Sequence, residues 1–368
     1  MARDARNQIE RLLRNAVASG IAPGAVAVWS MDGVPPQSAM VGHARLRPHT
    51  VTVGLDTWFD LASLTKPLVV TTLCLLAIRR GGLNLATPLA EILPEARTTE
   101  IERVTIQHLL CHSSGLPAWR PLYAMTAAPE EVVDVIVRVP LEARPGTTVV
   151  YSCLDFILLG VILERLTSEP LSVAFDRHVL RPLGLSDELG FRPDADRYSI
   201  AGGAITPAVE HRMTAEHGFD PGRVPPPDPA APDDGNARFM GGVAGNAGLF
   251  GTGRGVLTLA TEYLPGGGRL LGPDDVAAAT AVVARGHGQI RGLGWQAAST
   301  PGSSAGPALS RSATGHTGFT GTSVWVDPER RLTLVLLTNR HHPGHRTIDL
   351  HPFRRRFHAL AAQEGMKG

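Results

Sequence analysis

Short strand-like segments lie at both ends of this chain, and helix-length apolar segments lie between them. Near the start, residues 25–29 and a second run that ends near Val41 are short apolar runs separated by turn residues. Near the end, residues 322–338 have the pattern strand, turn, strand. Apolar residues at helical spacing, or apolar runs of helix length, occur over residues 64–80, 105–110 and 152–167. This order predicts an α+β fold, in which one antiparallel sheet is flanked by helices and a mostly helical region is inserted.

The same pattern divides the chain into two parts. Residues 1–62 and 240–368 are expected to form an α/β part with the sheet and with helices over 4–19 and 349–362. Residues 63–239 are expected to form the helical part, including a proline-rich loop at 220–232. A chain of 368 residues is long enough to bury a sizeable core, and we expect both parts to form one continuous unit.

Composition excludes some classes of partner. The net charge is +1, which does not favour binding to nucleic acid. No stretch of roughly 18 uninterrupted apolar residues predicts a membrane span, and the first 20 residues lack the apolar core of a signal peptide. A cytoplasmic location is therefore expected. The basic run Arg354, Arg355 and Arg356 is expected to be a solvated tail.

Lysine is rare in this chain. There are 33 arginines but only two lysines, Lys66 and Lys367. Arginine stays protonated in proteins, whereas a desolvated lysine can lose its proton. A single lysine in the body of the protein is therefore expected where chemistry needs an amine, although biased codon use could also leave one by chance.

Ser63 lies three residues before Lys66, at the start of the predicted helix over 64–80. Residues at i and i+3 share a helix face, so the amine can reach the hydroxyl. A serine hydroxyl becomes a nucleophile when a base takes its proton. Burial lowers the pKa of lysine, so a neutral Lys66 can be that base. We therefore predict that Ser63 is the nucleophile and that Lys66 is its amine partner.

Two further motifs carry groups suited to acyl transfer. Tyr151-Ser152-Cys153 begins the predicted helix over 152–167, and a phenolate beside a lysine ammonium is a plausible proton shuttle. The alternative is a tyrosine that packs at the edge of the core. Gly315-His316-Thr317-Gly318 precedes the last strand pair, where small residues let a substrate approach the strand backbone. The alternative is a glycine-rich turn.

In this order, the three motifs resemble the serine β-lactamase, DD-peptidase and family VIII esterase superfamily, which carries S-x-x-K, then Y-x-N or Y-S-D, then K-T-G or H-T-G. The connecting segments QHLLCHSSGLP, RPGTTVVYSCLDFILLGVILE and GHTGFTGTSVWVDPERRLTLVLLTNR are also similar. The resemblance covers roughly residues 5–362, and GGVAGNAGLF is similar to a subgroup that contains muropeptide amidases. It implies a β-lactamase/transpeptidase-like fold.

The resemblance implies roles for the matching residues. Ser63 would form the acyl-enzyme, and Lys66 and Tyr151 would exchange its proton with that of the leaving group. The backbone N–H groups of Ser63 and Phe319 would form the oxyanion hole. The substrate would contact Cys153, His316, Thr317 and Gly318.

Two of these positions differ from the commonest form of the motifs. Cys153 stands where the family has Asn or Asp, and a thiol is a poor substitute for the contacts that an amide makes. This departure argues against β-lactam hydrolysis and against peptide-like substrates, and it favours reduced activity. His316 replaces the lysine of K-T-G, and it is expected to make the charge of the site depend on pH near 6.5.

The sequence therefore predicts a serine hydrolase that cleaves an amide or ester, acting as a carboxylesterase or as a cell-wall peptide amidase or peptidase. Its substrate would be a small molecule or a peptidoglycan fragment, and no cofactor is expected. A metal site is not expected either, because His108, Cys111 and His112 lack a further ligand and a glutamate base. The alternative is a catalytically weak homologue that binds peptidoglycan fragments or a protein partner.

Overall fold

A computed structural model describes residues 2–31, 34–228, 230–344 and 348–363. Lys367 lies outside the described residues. The strands are β1 Gly24–Met31, β2 Gln37–Arg45, β3 Val51–Thr52, β4 Phe59–Asp60, β5 Leu189–Phe191, β6 Leu249–Gly251, β7 Ala284–Gly286, β8 Gln289–Arg291, β9 Gln296–Ala297, β10 Thr314–Thr317, β11 Ser323–Asp327 and β12 Leu332–Thr338.

The α-helices are α1 Ala2–Ala18, α2 Thr72–Arg79, α3 Leu89–Ile92, α4 Ile106–Leu110, α5 Leu122–Met125, α6 Val132–Ile136, α7 Cys153–Thr167, α8 Leu171–Phe175, α9 Arg181–Leu183, α10 Ala208–Glu216, α11 Gly235–Phe239, α12 Gly253–Thr261, α13 Pro273–Thr280 and α14 His351–Ala362. The helices predicted over 4–19, 105–110, 152–167 and 349–362 correspond to α1, α4, α7 and α14. The predicted strands near both ends are also present.

The main sheet joins the two ends of the chain. Within the described residues it has nine strands in the order β3-β2-β1-β12-β11-β10-β9-β8-β7, and its paired strands are antiparallel. At its centre β1 pairs with β12, with Val28 opposite Val335. The expected α+β fold with one antiparallel main sheet is therefore confirmed. A separate sheet, in the order β4-β6-β5, lies beside the helical part.

Alternate residues of β1 face two different cores, as the two-residue period of a strand requires. Val26 and Val28 belong to the larger core, which also contains most of the helical part. Ala25, Ala27 and Trp29 belong to a smaller core with α1 and α14. The sheet is therefore covered on both faces. The larger core joins residues of both predicted parts, and we propose that the two parts fold as one unit.

The helix predicted over 64–80 is a continuous helical segment of three types. A single 3₁₀ turn, Ala62–Leu64, leads into a π-helical stretch, Lys66–Thr71, and then into α2. Among the described helices, this one is long and apolar enough to cross a membrane by length and composition, and 78% of it is buried inside the protein. The buried fraction is that of a core helix. The proline-rich loop contains one 3₁₀ turn, Pro221–Arg223, and its Pro229 lies outside the described residues.

A glycine-rich loop over 241–248 packs directly on α7. A Cβ added to Gly245 would lie 1.9 Å from the carbonyl oxygen of Phe156 and 3.0 Å from the amide nitrogen of Gly160. The helix backbone and the loop backbone therefore touch without a side chain between them. This contact holds the next residue, Asn246, against the interior of the protein.

Replacing Gly245 by Ala is expected to separate the loop from α7. Overpacking of this kind costs about 1–3 kcal/mol of the free energy of unfolding, which urea denaturation can measure. Gly82→Ala is the matched control, because its added Cβ would meet its nearest neighbour at 3.7 Å and its backbone is not left-handed. The control should change the free energy by less than about 0.5 kcal/mol. Equal stability of both variants would contradict the close contact.

Candidate active site

Ser63 lies on a turn whose backbone is held by a buried carboxylate. The preceding residue, Ala62, has φ +47°, in the left-handed region that costs energy for a residue with a Cβ. Asp60 Oδ1 accepts a hydrogen bond from the Ala62 N–H at 2.8 Å, and Asp60 Oδ2 accepts one from the Asp233 N–H at 2.8 Å. Burial and the neighbouring charge of Asp233 raise the pKa of Asp60 to about 7. The carboxyl group thus connects the turn that carries Ser63, called the nucleophile turn below, to the loop at Asp233.

The loop after β10 docks on the same turn. Thr320 Oγ1 donates to the carbonyl of Asp60 at 2.7 Å, and Thr322 Oγ1 donates to the carbonyl of Leu61 at 3.2 Å. The Gly318 N–H donates to the Thr322 carbonyl at 2.8 Å. A Cβ at Gly318 would lie 2.1 Å from Thr322 Oγ1, so only glycine fits this approach. These bonds fix the end of β10 relative to Ser63.

Lys66 is fully buried and points at the nucleophile. Its Nζ donates to Ser63 Oγ at 3.0 Å, to the carbonyl oxygen of Asn246 at 2.9 Å and to Cys153 Sγ at 3.5 Å. The side chain is 0% exposed. The predicted contact between Ser63 and Lys66 is therefore present. Three separate regions of the chain surround the amine of Lys66.

The expected lowering of the Lys66 pKa is wrong. Burial lowers it, but the opposing charge that Cys153 and Tyr151 carry when ionised, with a smaller effect of Asp234, raises it by more. The net effect is a pKa above the ordinary value. When Tyr151 is ionised, Lys66 is therefore an ammonium at neutral pH. It can donate hydrogen bonds and stabilise negative charge, but it does not take the proton of Ser63 in this state.

Tyr151 lies between two cations. Lys66 Nζ and Arg291 Cζ are each 5.2 Å from the centroid of its ring. Burial lowers the pKa of Arg291 to about 10, so its guanidinium remains charged at neutral pH. Tyr151 therefore lies between the lysine at the nucleophile and a buried arginine, and its exchange of a proton with Ser63 stays a prediction.

Cys153 is the first residue of α7 and lies beside the lysine. Its Sγ is 3.5 Å from Lys66 Nζ, and the side chain of Asn246 also hydrogen-bonds to it. Burial raises the pKa of the Cys153 thiol, so it is neutral at pH 7. Asn246 Nδ2 in turn donates to Asp234 Oδ2 at 3.1 Å. An amide from the glycine-rich loop thus stands next to the position where the family has Asn or Asp.

His316 lies on β10 and is buried. Its Nδ1 is 2.9 Å from the carbonyl oxygen of Thr317, so Nδ1 carries the proton and donates it. Nε2 is then an acceptor, and it has no hydrogen-bond partner among the described residues. Burial, followed by the charges of Arg291 and Lys66, lowers the pKa of His316 well below its ordinary value. The expected change of charge near pH 6.5 is therefore wrong for this residue.

The remaining predicted site residues line the same cavity as Ser63. Thr317, Gly318 and Phe319 follow His316 along its wall. The Phe319 side chain is 42% exposed, and the centroid of its ring is 4.3 Å from the centroid of the His341 ring. An oxyanion hole formed by the N–H groups of Ser63 and Phe319 stays a prediction.

The cavity has a volume of about 650 Å³ and contains two buried arginines. Arg291 is 6% exposed and Arg354 is 5% exposed. Arg354 donates to the Thr322 carbonyl at 2.9 Å, and the Nε atoms of both arginines have no partner among the described residues. Burial lowers the pKa of Arg354 to about 9. Arg354 is thus not part of a solvated tail, because α14 packs this face against the sheet.

A comparison with protein families places these observations in context. The family model described as Beta-lactamase matches residues 9–358. The chain belongs to the β-lactamase family. The resemblance inferred from the three motifs is confirmed, and the protein is a serine hydrolase of the β-lactamase-related superfamily.

Individual members of the β-lactamase family are similar over most of the chain. The protein is 30% identical over 324 residues to a putative D-alanyl-D-alanine carboxypeptidase of Escherichia coli K12, which covers 80% of this chain and 71% of the relative. It is 27% identical over 361 residues to an N-acetylmuramyl-L-alanine amidase of Bacillus subtilis 168, covering 91% and 81%. The fold is similar to that of EstCE1, a hydrolase with promiscuous acyltransferase activity, with a TM-score of 0.77, 22% identity and coverage of 97% and 99%.

Several residues of the site were not predicted from the sequence. Arg291 carries no motif of its own, and Asn246 lies in the segment GGVAGNAGLF, to which the sequence assigned no site role. Only the fold brings these two residues beside Tyr151 and Cys153. Arg354 could have been found from its helical spacing to Phe357, which packs in the core with α1. His112 was considered only as a metal ligand, whereas it packs on Tyr151 with ring centroids 4.6 Å apart.

Because His316 stays neutral, it is not expected to produce a pH dependence of turnover near pH 6.5. The turnover of wild type divided by that of His316→Gln should be constant between about pH 5.5 and 8. The same low pKa lowers the free energy of unfolding as the pH falls below 6.5, because the unfolded chain then binds more protons. A sigmoidal change of the activity ratio near pH 6.5 would contradict the neutral histidine.

Proposed function

We propose that this protein hydrolyses acyl bonds through an acyl-enzyme on Ser63, and that its main substrates are short cell-wall-type peptides with a free carboxylate. The observation that carries the proposal is the 3.0 Å contact between Ser63 Oγ and Lys66 Nζ in a cavity of about 650 Å³. An ammonium held there stabilises the negative charge that develops when the hydroxyl attacks a carbonyl. Simple esters are a second substrate class.

In this proposal Tyr151 begins as a phenolate beside the Lys66 ammonium, and it takes the proton of Ser63 to become the neutral phenol. The Ser63 oxygen forms a bond to the substrate carbonyl carbon, and the carbonyl oxygen takes the negative charge. When the bond to the leaving group breaks, Tyr151 returns the proton to the leaving nitrogen or oxygen. A water molecule then repeats the attack on the ester of Ser63, gives one proton to Tyr151 and releases the acid, after which Tyr151 returns the proton to Ser63.

The carboxylate preference rests on the two buried arginines. Arg291 and Arg354 both line the cavity and are buried, and neither forms an ion pair with a carboxylate in the part of the chain that the structure describes. A carboxylate matches the paired N–H groups of a guanidinium, and a buried cation gains most from a partner with charge. The relatives named as a D-alanyl-D-alanine carboxypeptidase and a muramyl-alanine amidase agree with a peptide of the cell wall.

The second candidate function is binding without efficient catalysis. It is favoured by Cys153, whose neutral thiol is a weaker hydrogen-bonding group than the amide or carboxylate that the family carries there. Under this alternative, peptidoglycan fragments would occupy the same cavity and turn over slowly. The rate of the wild-type protein relative to a variant without the nucleophile distinguishes the two functions.

Replacing Ser63 by Ala is expected to lower turnover of a p-nitrophenyl ester and of an acylated D-alanyl-D-alanine peptide about a thousandfold or more, because the covalent route is lost. The matched control is Ser38→Ala, a partly buried serine on β2 that does not line this cavity. The control should keep wild-type kcat/KM. If wild type is no faster than Ser63→Ala on any substrate, the protein is a binder rather than an enzyme.

The carboxylate preference is measured by pairing an acylated D-alanyl-D-alanine peptide with its C-terminal amide. Wild type should cleave the free acid with a kcat/KM about tenfold or more above that of the amide. This ratio should approach one in Arg291→Met or Arg354→Met, even where the absolute rate also falls. Arg285→Met, an exposed arginine on β7, is the control and should keep the ratio. An unchanged ratio in both buried-arginine variants would rule out the assigned subsite.

A further inference from the structure

His112 brackets Tyr151 from both sides along the chain. Its carbonyl oxygen accepts a hydrogen bond from the Val150 N–H at 2.8 Å, and its Nδ1 accepts one from the Ser152 N–H at 3.1 Å. Its ring packs on the ring of Tyr151, with centroids 4.6 Å apart and an angle of 47° between the planes. One residue therefore contacts the backbone before Tyr151, the backbone after it and its side chain.

His112 is held in a conformation that its surroundings must impose. Its φ is +59°, in the left-handed region that residues with a Cβ adopt at a cost. The next residue is fixed on both sides, because the Ser113 N–H donates to the His108 carbonyl at 2.8 Å and the Gly146 N–H donates to the Ser113 carbonyl at 2.8 Å. The histidine is also fully buried. Because its backbone is held in this way, His112 has little freedom to move relative to Tyr151.

Asp155 fixes the imidazole from the side of α7. Nδ1 of His112 accepts the Ser152 N–H at 3.1 Å, which leaves the ring proton on Nε2, an atom without a partner among the described residues. The 3.3 Å contact with Asp155 Oδ2 then fits a protonated Asp155 that shares the single lone pair of Nδ1 with the Ser152 N–H. The other oxygen, Asp155 Oδ1, accepts a hydrogen bond from Ser114 Oγ. All these side chains are buried.

The electrostatics agree with this proton position. Burial raises the pKa of Asp155 well above its ordinary value. Burial, and then the charges of Arg291 and Lys66, lower the pKa of His112 well below its ordinary value. The pair is neutral, so it adds no third cation and no anion beside the two cations that flank Tyr151.

We propose that His112 is a positioning residue for Tyr151, and that Asp155 holds it by donating a hydrogen bond to its Nδ1. This inference rests on the proposed function, in which Tyr151 exchanges a proton with Ser63. Tyr151 lies in the extended segment just before α7, so the position of its hydroxyl depends on how residues 150–152 are held. A displacement of about 1 Å in such a group can cost about a hundredfold in rate.

A double-mutant cycle with Tyr151→Phe tests whether His112 acts through Tyr151. His112→Asn is the chosen variant, because asparagine tolerates the left-handed backbone while it removes the ring that packs on Tyr151. On a p-nitrophenyl ester, kcat should fall about tenfold to a hundredfold, with less than a threefold change of KM. In the Tyr151→Phe background, the same substitution should change kcat by less than about threefold.

The outcomes separate the two levels of the proposal. If His112→Asn lowers kcat by the same factor in both backgrounds, His112 does not act through Tyr151 and the inference fails, while the proposed function stands. If Tyr151→Phe keeps wild-type kcat, the proposed role of Tyr151 itself fails. The fold control is His358→Asn, a buried histidine on α14 outside the cavity. It should lower the melting temperature without lowering the kcat of the folded protein.

Variants of Asp155 test the direction of its hydrogen bond and do not depend on His112→Asn folding. Asp155→Asn keeps a donor for His112 and an acceptor for Ser114, so its kcat should stay within about threefold of wild type. Asp155→Leu removes both and should lower kcat as His112→Asn does, with the loss again absent in the Tyr151→Phe background. If Asp155→Asn loses as much activity as Asp155→Leu, the carboxylate itself is required and the donor role is wrong.

Discussion

The buried ammonium of Lys66 is the group around which the rest of the site is arranged. Removing a cation from water is expensive unless fixed partners replace the water. Ser63 comes from the nucleophile turn, Cys153 from the start of α7, and the Asn246 carbonyl from the glycine-rich loop. Each partner depends on a separate tertiary contact, and the direct packing of Gly245 on α7 is one of them. The position of this lysine thus depends on the whole fold.

The nucleophile turn is held in an equally indirect way. Asp60 satisfies the N–H of the left-handed Ala62 and also the N–H of Asp233. Hydroxyls of Thr320 and Thr322 connect the loop after β10 to the same turn. The groups that would contact a substrate from the sheet side and the nucleophile from the helical side are therefore parts of one hydrogen-bonded assembly. Acyl transfer needs such fixed geometry more than it needs any single strong interaction.

The sequence was sufficient for the fold class and for the residues with a local pattern. Apolar periodicity located the helical segment after Ser63 and the strand pair before and after residue 330, because local spacing and burial coincide there. The contact of Ser63 with Lys66 follows from helical spacing alone. The pKa of Lys66 did not follow, since its direction depends on Tyr151 and Cys153, which are distant in sequence. The burial of Arg354 was missed because a run of arginines is usually solvated, and only the packing of α14 on the sheet reverses that expectation.

Peptide mapping after labelling with a fluorophosphonate tests the central claim most directly. The reagent reacts covalently with an activated serine, and mass spectrometry identifies the modified residue. The account predicts one adduct, on Ser63, that is absent when Ser63→Ala is treated in the same way. An adduct on another residue, or labelling of Ser63→Ala at the wild-type rate, would contradict the assignment of Ser63 and Lys66 as the centre of the site.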